Sequence, residues 1–510
     1  MAAEKAQLVK AGEIKPADAN NARVSEPSYI IPRNWVWSTI STLAYVEMGQ
    51  SPPSEHYNQE SKGVPFFQGK TDFGKRYPTP RYWCTKPTKM AKPDDILISV
   101  RAPVGPTNVA AEACCIGRGL AALRPHTGLD REFMLSALNA FETELESMGF
   151  GTTFVAINKK QLTRFPFPLP PLAEQRRIVT KVDELMALLD RLEAARTDRE
   201  NTRDRLTTAS LARLTAPETT TELFPSHARF TLDALPALST RADQIKSLRQ
   251  TILNLAVRGK LVEQDPEDEP ASYLFERAAE KRARLEQEGI VRRQKPAAII
   301  TDEEHWFRTP VNWGWTRLTG IGQTQTGTSP SSSKPEFFGS HIPFIKPSDL
   351  DGDSISYDGP GLSSEGICHS RVAPANSVMM VCIGATLGKV NVTDRQVCFN
   401  QQINSVTPFL EGMHRFLALA MKSSEFQERA WARAGTGTLP IISKGKWEVL
   451  PIPLPPLAEQ QRIVAKVDEL MALCDRLEAA LSTADTTRAR LLESLIHEAL
   501  TPSDAIPEAA

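Results

Sequence analysis

The chain has no run of 18 apolar residues, so no segment reads as a membrane-spanning helix. Its opening residues, MAAEKAQLVKAGEIKP, have no apolar centre of the kind a secretory signal needs. Seven cysteines are scattered and odd in number, Cys114 and Cys115 being adjacent. None falls into a CxxC or Cys/His spacing that would hold zinc. Reduced thiols and a cytoplasmic location are therefore expected. An excess of either charge is also lacking: 60 Lys and Arg against 61 Asp and Glu leave a net charge of −1. Any basic surface has to be local.

Catalytic motifs are missing too. Gly384-Ala-Thr-Leu-Gly388-Lys389-Val390 is one residue short of a Walker A loop and has no Ser or Thr after the lysine. No GxGxxG follows a strand pattern, and no Asn/Asp-Pro-Pro-aromatic tetrapeptide is present. Pro93-Asp94-Asp95 begins like a nuclease carboxylate motif but lacks the Glu-x-Lys or Asp-x-Lys that should follow. Asp349, Asp351 and Asp353 are spaced like a calcium loop, but Gly352 is misplaced and Pro360 stands where the closing Glu belongs.

What is present is a repeat. PFPLPPLAEQRRIVTKVDELMALLDRLE at 166–193 returns at 451–478 as PIPLPPLAEQQRIVAKVDELMALCDRLE, with 24 of 28 positions identical. The chain is thus two halves built to one plan. Each copy opens on prolines that hold the backbone extended, with Pro171 and Pro456 at a helix start. Ile178, Val182, Leu185, Leu189 and Leu192 then recur at heptad spacing, as do Ile463, Val467, Leu470, Cys474 and Leu477. That seam calls for a long helix packed on another helix. Between the copies, Leu238–Val262 carries Ile245, Leu248, Ile252 and Leu255 at the same spacing, and Ala271–Gln287 reads as a charged helix.

Shorter echoes keep the same order. Pro32-Arg33-Asn34-Trp35 answers Pro310-Val311-Asn312-Trp313, and Gly49-Gln50-Ser51-Pro52 answers Gly327-Thr328-Ser329-Pro330. AAEKAQLVKAGEI at 2–14 echoes AAEKRARLEQEGI at 278–290. Ile96–Val100 and Val378–Ile383 are strand-length apolar runs leading into turns at Gly105 and at Gly384 and Gly388. Helical spacing appears at Met134, Leu138, Phe141 and Leu145, and around Phe416–Met421. The expected class is α+β: two pseudo-symmetric mixed α/β domains, at 30–165 and 308–450, separated by long antiparallel coiled-coil-like spacer helices. The helical parts would be 166–307, with helices at about 172–216, 238–262 and 271–287, and 451–500. Tails of 1–29 and 501–510 complete the division.

Lys70, Lys75, Arg76, Arg81, Lys86, Lys89 and Lys92 crowd 70–92 against one acid, Asp72, with Tyr77, Tyr82 and Trp83 interleaved. Basic loops with aromatics suit phosphate and base contacts; a solvated charged loop is the plainer alternative. Residues 31–165 carry a net +4 and residues 309–450 only +1. The second region offers amides instead, and Asn or Gln pairs bidentately with adenine as Arg or Lys does with guanine. The candidate DNA-contacting residues are Gln68, Lys70, Lys75, Arg76, Arg81, Lys86, Arg101, Asn108 and Arg118 in the first domain. In the second they are Lys346, Ser348, Lys389, Asn391, Asn400, Gln401 and Gln402.

Taken with Leu248–Val262 and Asp265-Pro-Glu-Asp-Glu-Pro-Ala271, the doubled PLPPLAEQ-x-RIV-x-KVDELMAL resembles the specificity subunit of type I restriction-modification enzymes over nearly the whole chain. The resemblance implies a non-catalytic subunit with two target-recognition domains, each reading half of a split double-stranded DNA site. It implies spacer helices that dock two methyltransferase subunits, through which two restriction/translocase subunits join. No cofactor is expected on this chain; S-adenosylmethionine, ATP and Mg would sit on the partners. The candidate docking strips begin at Leu172, Glu174, Gln175 and Arg177 and at Leu457, Glu459, Gln460 and Arg462. Three alternatives differ in kind: an orphan methylation specificity subunit, a helical scaffold with domains that do not bind DNA, and a self-sufficient nuclease or methyltransferase.

Overall fold

The apolar runs at 96–100 and 378–383 are continuous because each contributes a strand buried on both faces. The computed structural model describes residues 30–149, 155–216, 222–291, 298–351, 354–435 and 439–500, with Gln7, Lys10 and Arg293. Most of the echo at 2–14, Asp353, the run 217–221 and the tail 501–510 lie outside the described residues. The chain divides into two units, 1–197 and 198–510, and the division falls inside one long helix.

Unit 1 runs β1 (Val36–Thr39), α1 (Ile40–Leu43), β2 (Ala44–Met48), β3 (Tyr57–Asn58), β4 (Val64–Phe67), β5 (Tyr82–Cys84), β6 (Met90–Ala91), β7 (Ile96–Ser99), β8 (Thr107–Val109), β9 (Cys114–Ile116) and β10 (Leu120–Pro125). Helices α2 (Arg131–Ala140), α3 (Glu142–Ser147) and α4 (Lys159–Arg164) follow, then β11 (Pro166–Leu169) and α5 (Leu172–Thr215). One sheet has the order β2-β10-β7-β8 and a second β3-β5-β4-β9-β6, in which β4 and β9 are parallel; β1 pairs with β11. Ile96 and Ile98 of β7 face a core with Phe133, Met134 and Phe167, while Leu97 faces the other way onto Phe67 and Ile116.

Unit 2 contains α6 (Phe224–Asp233), α7 (Leu235–Leu238), α8 (Ala242–Val257) and α9 (Ala271–Gln287). Its sheet domain runs β12 (Gly314–Arg317), α10 (Leu318–Ile321), β13 (Gly322–Thr326), β14 (Phe338–Gly339), β15 (Phe344–Ile345), β16 (Gly361–Leu362), β17 (Arg371–Ala373), β18 (Val378–Val381), β19 (Val390–Val392), β20 (Val397–Phe399) and β21 (Ile403–Pro408). Then come α11 (His414–Lys422), α12 (Ser424–Arg433), α13 (Lys444–Trp447), β22 (Pro451–Leu454) and α14 (Leu457–Leu500). The order β13-β21-β18-β19 reproduces that of the four-stranded sheet in unit 1, and β12 pairs with β22 as β1 does with β11. Here too the central strand is two-sided: Val378 and Met380 point into one core, Met379 and Val381 into another.

The seam of α14 is covered by α8. Ile463, Val467 and Cys474 are buried in one core with Ile245 and Ile252. The two helices run antiparallel, since Arg249 bonds Asp475 and Glu478 while Gln264, beyond the end of α8, bonds Glu459. The end of α5 also packs on α8, through Leu211, Leu214 and Leu255. Along α5, Leu185, Leu189 and Leu192 of the seam are exposed. Helix α8 stops short of Val262 because Gly259 turns into the left-handed region at φ +66°, where no side chain is favoured. The short helices α6 and α7 had no counterpart in the sequence reading.

Six of the seven thiols are buried in these cores and Cys368 alone is exposed. Burial pushes Cys114 and Cys382 up to about 12, which keeps them protonated and unreactive at neutral pH. Iodoacetamide at pH 8 should therefore add one group rapidly to the native chain, and Cys368→Ser should abolish it; fast labelling of two or more sites by intact mass would contradict these cores.

Candidate nucleic-acid interface

At the ends of β4 and β9 three loops meet in unit 1. Gly117 N–H bonds Phe67 O at 2.8 Å, Gly49 N–H bonds Leu120 O at 2.9 Å, Gln50 N–H bonds Ile116 O at 2.9 Å, and Val100 N–H bonds Gly119 O at 2.9 Å. The same four bonds recur in unit 2: Asn400 to Ile345 (3.0 Å), Gly327 to Ile403 (3.1 Å), Thr328 to Phe399 (2.9 Å) and Cys382 to Gln402 (2.8 Å). The loops are tightly pressed together. A Cβ on Gly49 would lie 2.2 Å from Gly117 O, and one on Gly327 would lie 2.1 Å from Asn400 O. Glycine is required at both positions by contact, not by dihedral angle.

This frame sets up residue equivalences. Gln68 corresponds to Lys346, Arg118 to Gln401, and Ser51 to Ser329. A turn after the first pair is closed by a carboxylate in each case, with Gln68 N–H bonding Asp72 Oδ2 at 2.7 Å and Lys346 N–H bonding Asp349 Oδ2 at 2.8 Å. Ser51 Oγ accepts from Arg118 N–H at 3.3 Å, while Ser329 Oγ donates to Gln401 Oε1 at 2.6 Å. The frame thus brings together Gln68, Lys70, Arg101 and Arg118 in unit 1, and Lys346, Ser348, Gln401 and Gln402 in unit 2. The two serines were missed as site residues, although the echo of Gly49–Pro52 in Gly327–Pro330 marked their positions.

Other candidates are used inside the fold. Asn108 and Asn391 are buried and donate to the carbonyls of Gly74 and Ser354, and Asn400 is buried against Gln402. These three are removed from the DNA-contacting set. The Lys389 ammonium donates to Leu350 O at 2.9 Å. Four of the seven cations of the basic run at 70–92 pair with acids, one of them Asp72 of the run itself. Arg76 pairs with Glu132 at 2.7 Å, Arg81 with the buried Asp72 at 2.7 Å, Lys89 with Glu47 at 2.5 Å, and Lys75 with Asp190 at 3.6 Å. Lys70 and Lys86 keep exposed ammonium groups.

The docking strips also change. Trp35 Nε1 donates to Glu174 at 3.0 Å and Trp313 Nε1 to Glu459 at 2.9 Å. Gln175 and Gln460 are fully buried and donate to Pro170 O and Pro455 O, both at 2.9 Å. Arg462 pairs with Asp268 at 2.5 Å. Glu174, Gln175, Glu459, Gln460 and Arg462 therefore join each repeat helix to its own unit. Leu172 and Arg177 stay exposed, and Leu457 is half-buried. Burial pushes the Glu459 carboxyl above its ordinary range, against the bonds from Gln264 and Trp313 that favour the charged form.

Among the described residues no group of three or more His, Cys, Asp and Glu side chains is placed to hold a metal. No helix among them is long and apolar enough to cross a membrane. A family described as the type I restriction modification DNA specificity domain matches the chain twice, at residues 32–199 and 310–484. The chain belongs to that family. Its relatives include the EcoAI specificity subunit of Escherichia coli, 28% identical over 98% of this chain and 88% of that protein. The EcoEI specificity subunit of the same organism is 26% identical over equal shares. A solved specificity (HsdS) subunit from Thermoanaerobacter tengcongensis is 47% identical over 38% of this chain and 48% of that one, with a TM-score of 0.31. This chain is thus a type I specificity subunit, of mixed α/β class with two sheet domains and long helices.

The indole–carboxylate bonds in this specificity subunit are testable by removing the donor alone. Trp313→Phe leaves the more deeply buried carboxylate short of a partner and should destabilise unit 2 by about 1–3 kcal/mol. Trp35→Phe, beside the partly exposed Glu174, should cost less. Urea unfolding of both variants checks this, and equal costs would contradict the difference in burial.

Proposed function

We propose that the two sheet domains each read one half of a split double-stranded DNA target. The reading is carried by one observation: an identical backbone frame presents different hydrogen-bonding groups in the two units, Arg118 in one and Gln401 in the other. Two readers of different sequences need such an arrangement, whereas a scaffold without a readout has no use for it. The chain itself supplies recognition. Methylation belongs to two partner methyltransferase subunits holding S-adenosylmethionine, and cleavage to two restriction/translocase subunits using ATP and Mg. Docking falls to the exposed parts of the long helices, which include Leu172, Arg177, Leu185 and Leu189 of α5.

Exchanging 308–450 for the corresponding domain of a relative should change one half of the methylated target and leave the other intact. Sequencing of methylated DNA from cells carrying the exchanged subunit reads this out. An unchanged target, or a change in both halves, overturns the proposal.

The ion pairs divide the basic run into two classes. Lys86→Ala should lower the slope of log affinity against log salt by about one, on any sequence, as expected for a lost phosphate contact. Arg81→Ala should instead lower stability by stranding the buried Asp72, with a smaller change in slope. Salt titrations of DNA binding, beside thermal unfolding of the same variants, separate the two effects.

A further inference from the structure

We infer that Arg118 and Gln401 are the equivalent base-reading residues of the two domains, Arg118 selecting a guanine and Gln401 an adenine; the inference rests on the proposed reading of a split DNA target. Their equivalence follows from the four repeated backbone bonds and not from sequence alignment, for the residues themselves differ. Gly117-Arg118-Gly119 and Asn400-Gln401-Gln402 are each bonded at both ends to neighbouring strands. Each therefore holds its middle residue at the crest of a short, fixed loop. A Cβ on Gly119 would come within 2.3 Å of Gln68 O, so the first loop lies directly against the chain at Gln68.

The chemistry at the two crests is distinct. Arg118 is exposed, and its guanidinium enters no ion pair or side-chain hydrogen bond among the described residues. Only its backbone N–H is engaged, by Ser51. The planar fork of five donors is free to meet two acceptors in one plane, the pattern of guanine O6 and N7. Gln401 is also exposed, but Ser329 fixes its amide by donating to Oε1 at 2.6 Å. That bond uses one lone pair, leaving the second lone pair and both Nε2 protons outward. One acceptor beside one donor is the complement of adenine N6 and N7. The serine thus has two uses on one frame: it steadies the arginine through the backbone and the glutamine through the side chain.

The test uses the full chain assembled with its methyltransferase partners, on duplexes in which every base pair of the mapped target is varied singly. Arg118→Ala should lose about 10–100-fold of discrimination at one G·C pair, in the half-site that the domain exchange assigns to unit 1. Arg118→Gln should shift the preference at that same pair towards A·T. Gln401→Ala should lose discrimination at one A·T pair of the other half-site. Both side chains are exposed, so thermal unfolding should be unchanged, and a variant that unfolds earlier than the parent counts against this placement. Uniform weakening across all duplexes would show phosphate contacts and overturn the inference, as would no change or a loss in both half-sites. A domain exchange that leaves the target unaltered would sink the underlying reading instead, so the two failures are separable.

Discussion

A tryptophan N–H donated to a glutamate in the first turn of a long helix is the contact on which each half depends. Trp313 lies just before β12, and Glu459 lies just after the strand that pairs with it, β22. The bond between them closes the sheet domain where it begins and where it ends, across 146 residues, and attaches the helix at that closure. Trp35 and Glu174 do the same across 139 residues. The geometry suits the charge, because a carboxylate in the first helical turn lies at the positive end of the helix dipole. The prolines before each helix leave carbonyls that the following glutamine can reach, and Gln175 and Gln460 take them. In unit 2 the lock is deeper, since Glu459 is buried; Gln264 is its second donor, as Asn34 is to Glu174 in unit 1.

Because both ends of a domain are tied at one point, the segment between is free to differ so long as its frame survives. The central strands show how much difference the frame accepts. In unit 1, Asp95 is buried just before β7 and takes both arms of Arg124 on β10. In unit 2 the matching positions are Ser377 and Thr407, whose hydroxyls bond each other at 2.7 Å. An ion pair and a hydroxyl pair fill one place in the same sheet order. Both satisfy the rule that a buried polar group needs a partner, and they do so with unlike chemistry. What the two units hold in common is the backbone bonding and the close glycine contacts at the loop crests.

Much of this was legible in the sequence, and what was not has an identifiable physical cause. The doubled 28-residue stretch and its prolines showed the long helices because proline and heptad spacing are local signals. The continuous runs at 96–100 and 378–383 showed strands for the same reason. The partner of a seam is not local information. Periodicity gave α14 an apolar face but could not say that α8 covers it. The polar residues misled in a related way. Glu174, Gln175, Glu459 and Gln460 read as an outward docking face because they are hydrophilic, yet they are the inward lock, with Gln460 fully buried. Asn108 and Asn391 read as DNA-contacting residues by type and prove to be bonded to backbone carbonyls. The equivalence of Arg118 and Gln401 became visible only through bonds that the fold makes between distant segments.

The charge pattern follows the same logic. Counted along the sequence, 70–92 is a strongly basic run; in the folded unit, Glu47, Asp72, Glu132 and Asp190 pair with four of its seven cations. A heavily cationic surface would hold any duplex, since phosphate contacts dominate sequence-independent affinity. A reader of one target is better served by few unpaired cations and by fixed groups aimed at base edges, because discrimination is the ratio of specific to non-specific binding. The net charge of −1 fits that requirement. On the proposed reading, the isolated subunit then binds DNA weakly, and the missing phosphate contacts come from the partner subunits. On that proposal sequence discrimination and enzyme recruitment are coupled, since the complex would hold DNA firmly only when the chain that reads the sequence and the chains that modify it are joined.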